Sequence, residues 1–379
     1  MMSRRMVRYG LLVFLLGAIL VGCAPRWEIQ VTLDDREAAV LGRKAWKSYQ
    51  PFAQPEGVPL EQILYASGAR VVASVEIIRS DGQGQSWEWQ EIAGSTWLRE
   101  DGTLEVNQEA LQPTSIRVVS SPLMEKVEGE LIDIAPTAAE ALGIPPLDIA
   151  VGRVLREARA DQVLLLFLDG FGYLRYQEAA AEGLIPELSR LEPPLVGLTT
   201  YPPITTVSTA SLLTGAPPPV HGVETRGIRK TEWETLLTTA AEAGLGVKAV
   251  EGEALAFQLR GADFQLSGDR DGDGGTDDNV LAHALEVIED GWPDLMLIHF
   301  HGIDDLGHQV GPGAPREKEK IREVDQAVGE LLDRVPPDTL VMIFADHGMH
   351  LVKEGDRRGN HGHLIARDML IPIWIVRKP

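Results

Sequence analysis

The second half of the chain alternates short, almost fully apolar runs with longer segments of helical character. The runs at 163–168, 295–300 and 340–344 have almost no polar position. A strand is apolar on both faces when both faces of its sheet are covered, as in a parallel sheet flanked by helices. We therefore expect an α/β domain at 161–379, with a mainly parallel sheet and helices on both faces.

The same pattern locates the elements of this domain. Further strands are expected at 195–200, 247–251 and 371–376. Helices are expected near 177–190 and 233–243, directly after residue 205, and at 278–289 and 317–335. In sheets of this kind, ligands bind outside the carboxyl ends of the strands, so the residues that follow each run are the ones to inspect for chemistry.

Residues 27–121 have a different pattern, with short β-branched runs, turn signals such as Asp81-Gly82, and one helical segment at 59–65. This pattern predicts a small α+β accessory domain before the α/β domain. It contains no histidine, because all nine lie between His221 and His363. A spacer or interaction module is therefore favoured over a second active site. Residues 122–160, broken by several prolines, are interpreted as a connector.

The N-terminus has the features of an export signal. Residues 1–22 combine three arginines with a short apolar run, and the segment ending at Cys23 resembles the lipobox of bacterial lipoproteins. This interpretation predicts an extracytoplasmic, membrane-anchored bacterial lipoprotein that touches the membrane through its N-terminal lipid only. The alternative is a lone cysteine at the end of a signal-anchor helix. Cys23 is the only cysteine, so the chain can form no internal disulfide.

The net charge narrows the possible partners. The chain has 35 Lys and Arg against 56 Asp and Glu, a formal charge of -21, and 44% apolar residues. This composition excludes a disordered chain, and the acidic balance argues against binding of nucleic-acid duplexes. An acidic protein that handles a phosphate group needs metal ions to do so. The sequence carries no signal for an oligomeric state.

Metal-ligand residues follow three of the expected strands. Asp169 comes directly after the first run, the segment His301 to His308 follows the run at 295–300, and Asp346-His347 follows the run at 340–344. Carboxylate oxygen and neutral imidazole together suit Zn²⁺. Any one of these aspartates alone could be a helix cap, but the joint occurrence at one sheet edge predicts a metal site.

With the segments 202–215 and 360–363 added, the pattern resembles the alkaline phosphatase superfamily, and within it the type I phosphodiesterase and nucleotide pyrophosphatase branch. The family order is an Asp, a nucleophilic Thr, Asp-x-x-x-His, Asp-His-Gly and His-Gly. The matching residues, in a resemblance that covers 163 to about 365, are Asp169, Thr205, Asp304, His308, Asp346, His347 and His361.

The resemblance implies two divalent metal ions, Zn²⁺ by ligand type with Mn²⁺ or Fe also suited. Asp169, Asp346, His347 and Thr205 would hold one ion, and Asp304, His308 and His361 the other. Thr205 would attack phosphorus and form a phosphothreonine that water then hydrolyses. Several alternatives stay open: Thr206 for Thr205, Asp305 for Asp304, and His363 for His361. His299, His301 and His350 flank the site as candidate partners of the ligands, whereas His221 and His283 are interpreted as structural.

Two features are less typical. Ser208 stands where the nucleotide pyrophosphatases carry an asparagine that contacts a phosphate oxygen, so we expect Ser208 to bind substrate while the preference for diesters stays open. The acidic segment Asp269, Asp271, Asp273 and Asp277 resembles a calcium loop, but position twelve is Val280 instead of Glu. A Ca²⁺ site is one interpretation, and a solvated turn before a helix is the other.

The sequence therefore predicts a two-metal phosphodiesterase or pyrophosphatase acting on a small phosphoester. A phosphomonoesterase and a phosphoethanolamine-type transferase are the alternatives, since 299–312 also resembles the corresponding stretch of phosphoethanolamine transferases. A third hypothesis, of another class, is a surface-anchored binding protein with a vestigial hydrolase domain.

Overall fold

Two hydrophobic cores organise the chain in the computed structural model, which describes residues 27–378 apart from 158, 270, 271, 273, 274 and 354. One core is built around the large sheet of the C-terminal region, and the other lies mainly within residues 27–121. The predicted signal segment 1–22 and Cys23 lie outside the described residues.

Residues 27–121 form two small sheets with three short helices. Their strands are β1 (Glu28–Leu33), β2 (Arg36–Gly42), β3 (Val58–Pro59), β4 (Val72–Arg79), β5 (Gly84–Glu88), β6 (Thr96–Leu98), β7 (Leu104–Val106), β8 (Glu109–Leu111) and β9 (Pro113–Ser120), and their helices are α1 (Arg43–Ser48), α2 (Leu60–Ala66) and α3 (Trp89–Ile92). One sheet has the order β2-β1-β9-β4-β5 and the other β3-β6-β7-β8. All pairs are antiparallel except β1 with β9.

The C-terminal region is built on an eight-stranded sheet. Its strands are β10 (Val127–Glu130), β11 (Gln162–Leu168), β12 (Leu195–Leu198), β13 (Val247–Glu251), β14 (Asp263–Leu266), β15 (Leu295–Phe300), β16 (Thr339–Phe344) and β19 (Leu370–Arg377), in the order β10-β12-β19-β16-β11-β15-β13-β14. Only β19 runs antiparallel to its neighbours. A separate hairpin joins β17 (His350–Leu351) to β18 (Gly359–Asn360).

Helices cover this sheet. They are α4 (Ile134–Leu142), α5 (Tyr173–Ala181), α6 (Thr205–Thr214), α7 (Pro218–His221), α8 (Leu236–Glu242), α9 (Asp277–Asp290), α10 (Gly302–Val310), α11 (Pro315–Arg334) and α12 (Ala366–Met369). Every residue of β15 and β16 is buried, which requires cover on both faces. The predicted fold class, a mainly parallel α/β sheet preceded by a small α+β region, is confirmed.

Several elements differ from their predicted bounds. The helix expected near 177–190 ends at Ala181, because Gly183 takes a left-handed backbone conformation with φ of 68° and closes the helix. Within the predicted connector, β10 joins the large sheet and α4 packs into its core. Short 3₁₀ helices occur at Gln50–Phe52, Pro122–Lys126, Leu131–Asp133 and Leu188–Arg190.

Candidate metal centre

The candidate ligands meet because three neighbouring parallel strands end at the same level. β11 pairs with β15 and with β16, and the register joins Leu168 to Phe300 and Phe167 to Phe344. The residues that follow these positions are therefore brought to one edge of the sheet. Asp169 and Asp346 are both buried there, with 3% and 0% of their surface exposed.

The first group of candidate ligands is Asp169, Asp346 and His347. The Nε2 atom of His347 lies 3.2 Å from Asp346 Oδ2 and 3.5 Å from Asp169 Oδ1. Thr205 is the first residue of α6, and its hydroxyl lies 3.3 Å from the same Nε2 atom. The structure therefore brings Thr205, rather than its buried neighbour Thr206, to this group.

The second group is Asp304, His308 and His361. Asp304 and His308 share one face of α10, where His308 Nε2 lies 3.2 Å from Asp304 Oδ2. His361 Nε2 lies 3.2 Å from His308 Nε2 and 3.7 Å from Asp304 Oδ1. The two groups adjoin, since the rings of His347 and His361 stack with centroids 3.8 Å apart.

Backbone carbonyls orient all three imidazoles. The Nδ1 atoms of His347, His308 and His361 lie 3.1, 2.9 and 2.7 Å from the carbonyl oxygens of Gly348, Gly359 and Pro203. A neutral imidazole has one N–H, so donation from Nδ1 leaves Nε2 with a free lone pair. Lone pairs on facing Nε2 atoms would repel each other unless a cation lies between them.

Three buried carboxylate oxygens point to the same conclusion. Asp169 Oδ1, Asp304 Oδ1 and Asp346 Oδ2 have no hydrogen-bond partner among the described residues. A buried oxygen of this kind normally has a partner. Ligands about 2.0–2.1 Å from zinc lie about 3.3 Å apart at the corners of a tetrahedron. The spacings within both groups are close to this value, so the donor set fits divalent metal ions, and the identity of the metal is left open.

The electrostatics agree with cation binding. Burial, followed by the charge of Asp169, raises the pKa of Asp346 well above its usual range. Burial also lowers the pKa of His347 to about 4 and that of His361 to about 3. Both rings are therefore neutral at physiological pH, as metal binding requires, and the crowded carboxylates are costly without a positive charge beside them.

The other candidate residues from the sequence lie outside the two groups of ligands. Asp305 is exposed, whereas Asp304 is buried within the second group. His363 Nδ1 contacts Glu61 Oε2 at 3.0 Å and is not among the candidate ligands. His350 contacts Asp368 in the same way at 2.8 Å. His221 and His283 are buried next to Ser211 and Ser267, in agreement with structural roles.

Ser208 lies on α6 and is buried against Thr199. Its side chain is fully buried, and its hydroxyl lies 3.4 Å from the hydroxyl of Thr199. Ser208 is three residues after Thr205 on α6, and residues three apart are neighbours on one helix face. Its hydroxyl packs α6 against Thr199, and a contact between Ser208 and substrate stays a prediction.

The acidic segment is described only in part. Asp271 and Asp273 lie outside the described residues, and Asp269 accepts a hydrogen bond of 2.7 Å from the backbone N–H of Gly272. Asp277 is buried and accepts hydrogen bonds from the backbone N–H groups of His301 and Gly302. Asp277 therefore fixes the start of α10, a role other than the expected one, and the Ca²⁺ site stays a prediction.

Sequence reasoning missed several polar neighbours of the site. Glu251 ends β13 and contacts His299 and His301, and its position after a buried strand was the signal that could have revealed it. Arg226 Nη2 lies 3.4 Å from His361 Nε2, and Arg357 Nη1 lies 3.4 Å from both ring nitrogens of His308. Both arginines come from irregular segments whose spacing carries no motif.

Residues 258–372 match the family model of type I phosphodiesterases and nucleotide pyrophosphatases. This match supports the alkaline phosphatase superfamily and an enzyme of the phosphodiesterase and pyrophosphatase type. The matched segment contains the second group, Asp346 and His347, and it begins after Asp169 and Thr205.

Curated relatives resemble a shorter stretch. GPI ethanolamine phosphate transferase 3 of Schizosaccharomyces pombe is 31% identical over 104 residues, which is 27% of this chain and 11% of the relative. The catalytic subunit of GPI ethanolamine phosphate transferase 3 of Homo sapiens is 34% identical over 84 residues, which is 22% of this chain and 8% of the relative. The matched stretches thus span about a tenth of these relatives' length.

Solved structures resemble the chain weakly. Phosphonoacetate hydrolase from Sinorhizobium meliloti 1021 has a TM-score of 0.40 and 19% identity, and covers 56% of this chain and 59% of its own. Murine ectonucleotide pyrophosphatase/phosphodiesterase 5 has a TM-score of 0.40 and 18% identity, and covers 51% of this chain and 58% of its own. Likenesses at this level carry no argument about function.

The predicted localisation is wrong. The curated relatives are GPI ethanolamine phosphate transferases of eukaryotes such as Schizosaccharomyces pombe, Mus musculus and Homo sapiens, and not bacterial lipoproteins. The lipobox interpretation relied on a short apolar run followed by one cysteine, a local pattern that these relatives do not support. Among the described residues, no helix is both long and apolar enough to cross a membrane.

Proposed function

We propose that this chain is a metal-dependent enzyme that cleaves phosphoesters with Thr205 as its nucleophile. The observation that carries the proposal is the position of the Thr205 hydroxyl, 3.3 Å from His347 Nε2, beside two groups of oriented Asp and His side chains. Asp169, Asp346 and His347 would hold one divalent ion, and Asp304, His308 and His361 the other.

Bound metal ions would stabilise the ionised threonine oxygen and the charge on the phosphoryl group. Thr205 Oγ1 forms a bond to phosphorus, its proton passes to solvent, and the bond from phosphorus to the leaving alcohol breaks. The leaving oxygen takes up a proton from water. An acceptor hydroxyl then attacks the phosphothreonine ester, takes the phosphoryl group and restores the threonine hydroxyl.

The chain's own residues support each step. Thr205 is the first residue of α6, so the positive end of that helix faces the phosphoryl oxygens. Arg226 and Arg357 lie beside the second group, where guanidinium groups can bind phosphate oxygens. Burial of both ligand groups keeps competing water from the carboxylates.

The acceptor distinguishes the two candidate activities. We infer transfer of a phosphoethanolamine-type group to an alcohol as the leading candidate, because the curated relatives are named as GPI ethanolamine phosphate transferases. Hydrolysis of a phosphodiester is the second candidate, favoured by the family whose model matches residues 258–372. Water is the acceptor in the second case.

The test is an assay of the zinc-loaded chain on an aryl diester of phosphoethanolamine, an aryl nucleotide diester and an aryl phosphomonoester. Each reaction is run with and without a soluble alcohol. Thr205→Ala should abolish aryl release, and an alcohol-phosphoethanolamine product from the first substrate would support transfer. Full turnover by Thr205→Ala would contradict the proposal, and product only from the monoester would replace it with a phosphomonoesterase.

A further inference from the structure

A buried cluster behind the first group of ligands has no part in the proposed reaction. It consists of Glu251 at the end of β13, and His299 and His301 at the end of β15. Glu251 and His299 are 3% and 1% exposed, and the His301 side chain is 17% exposed. Titratable groups this deeply buried are costly unless they are paired, so the cluster requires an explanation.

Both imidazoles bridge the same two carboxylates. His299 Nδ1 lies 3.0 Å from Glu251 Oε2, and its Nε2 lies 3.2 Å from Asp169 Oδ2. His301 Nε2 also lies 3.0 Å from Glu251 Oε2, and its Nδ1 lies 3.6 Å from Asp169 Oδ2. Glu251 thus binds the far side of each ring, and Asp169 lies at the near side.

The two carboxylate oxygens of Asp169 make different contacts. Oδ2 faces His299 and His301, whereas Oδ1 has no hydrogen-bond partner among the described residues and lies 3.5 Å from His347 Nε2. The last torsion of an aspartate side chain has a broad distribution, so the carboxylate can turn unless one oxygen is held. Holding Oδ2 therefore leaves Oδ1 aimed at the ligand group.

The rings themselves have little freedom to move. His299 stacks on Phe167 with centroids 3.7 Å apart and planes 7° apart, and His301 packs on its other side at 3.7 Å. Gly252, directly after Glu251, gives His301 its space, because a Cβ atom there would lie 2.9 Å from the ring. The cluster is thus fixed by packing as well as by hydrogen bonds.

We propose that Glu251 is a positioning residue that, through His299 and His301, holds Asp169 Oδ2 and so presents Asp169 Oδ1 to the metal ion of the first group. The inference rests on the proposed function, since it requires that a divalent ion binds there. Hydrogen bonds to a metal-binding carboxylate from residues outside the ligand set typically change metal affinity by about 10–100-fold.

Asp169, His299 and His301 also have atoms close enough together to hold a metal ion of their own. The positioning role is favoured, because both nitrogens of His299 and Nε2 of His301 already lie at hydrogen-bond distance from carboxylate oxygens. A third ion would have to displace these bonds. The number of bound ions separates the two interpretations.

The experiment is a zinc titration of the whole chain against a chromophoric chelator, comparing the parent with Glu251→Gln. Gln keeps the size of Glu but removes its charge, which weakens the hydrogen bonds that hold both imidazoles. We expect two zinc ions in both proteins, with one binding step weakened about 10–100-fold in the variant. Asp346→Asn, which removes a ligand of the first group, identifies that step.

Glu317→Gln is the matched control. Glu317 is a buried carboxylate paired with Arg175 at 2.6 Å, and it is not among the candidate ligands. It should lower the melting temperature of the metal-free chain while leaving both zinc steps unchanged. High zinc should restore kcat in Glu251→Gln, which a purely structural defect would not allow.

Two unchanged zinc steps in Glu251→Gln would overturn the positioning role while leaving the proposed function intact. Three zinc ions in the parent and two in Glu251→Gln would overturn it as well, in favour of a third ion. A parent that binds no zinc would contradict the proposed function itself. Should Glu251→Gln fail to fold, His301→Gln at the partly exposed ring gives the same test, with a smaller weakening of the same step expected.

Discussion

The two regions of the molecule use polar residues in opposite ways. In the C-terminal region, strands such as β15 are buried at every position, and the polar groups gather where the strands end. In residues 27–121, strands such as β9 alternate buried and exposed residues, so polar side chains are spread over the surface. A site therefore forms where parallel strands stop together, and the mainly antiparallel sheets of residues 27–121 bring together no group of candidate metal ligands among the described residues.

The two regions nevertheless contact each other through the hydrophobic core of residues 27–121. Leu364, Ile365, Met369 and Leu370 belong to the hydrophobic core of residues 27–121, although they lie in the C-terminal region. The backbone N–H of Val72 donates to the carbonyl of Leu364 at 2.8 Å. This packing supports the segment that carries His361, so the accessory region contributes to the site without supplying a ligand.

The largest contrast is expected from Asp346→Asn. Loss of this ligand should remove several kcal/mol of transition-state stabilisation, about a thousandfold in kcat/KM. The metal-free protein should melt at the same or a higher temperature, because Asn removes a buried charge that Asp169 repels. Steady-state assays and thermal melts in a chelator check both parts. A large loss of metal-free stability would contradict the account.

The second-largest effect is a loss of folding stability at acid pH. Burial lowers the pKa of His221 from its ordinary value of 6.5 to about 4, so the folded state holds this ring neutral. The unfolded chain takes up the proton first, so stability is present above pH 6.5 and is lost as the pH falls from 6.5 toward 4. The loss is on the order of 3 kcal/mol.

Unfolding free energies between pH 7 and 4 test this expectation, with His221→Asn as the comparison. Asn at this position should reduce the acid slope, since it takes up no proton. Because residues 27–121 contain no histidine, this sensitivity belongs to the C-terminal region alone. An identical slope in both proteins would show that other groups control acid unfolding.

A smaller effect is expected from Arg226→Ala. Arg226 lies beside His361, and its loss should raise KM about tenfold, or about 1.4 kcal/mol, with a smaller change in kcat. Arg229→Ala, at an exposed position of the same segment, is the control for a general loss of charge. Equal effects of both substitutions would argue against a specific contact with the phosphoester.

The smallest effect probes the contact between the two regions. A Cβ atom at Gly94 would lie 2.5 Å from the His363 ring, two residues from His361. Gly94→Ala should cost about 1 kcal/mol from its positive φ, and it should also weaken one zinc step a few-fold. Gly82→Ala has the same positive φ but no atom within 4 Å, so it should lower stability only. Equal zinc binding in both variants would show that the contact between the two regions does not affect the metal site.

The sequence predicted the C-terminal region far better than the accessory one. The bounds of β13 and β15 agree with those predicted. β15 is apolar except at His299, and a short run of this kind between helical segments is typical of a buried strand. β1 and β2 were missed, since half-buried strands alternate with charged residues and resemble surface loops. Their pairing is set by partners distant in the chain.

The candidate site also contains residues that the sequence predicts and residues that it does not. Asp169 and Asp346 were predicted as neighbours because the carboxyl ends of parallel strands meet at one edge of the sheet, whatever the packing of the side chains. Glu251, Arg226 and the buried position of Ser208 depend on side-chain packing between elements far apart in sequence. Spacing in the chain carries no information about such contacts.

Nucleophilic attack by Thr205 is tested by the mass of the peptide that contains this residue, measured after the zinc-loaded chain is quenched in acid during turnover of the phosphoethanolamine diester. We expect a phosphoethanolamine adduct on Thr205 that disappears when an alcohol acceptor is added in excess, and no adduct in Thr205→Ala. Rapid turnover with an unmodified Thr205 under all quench conditions, or an adduct on another residue, would contradict the account.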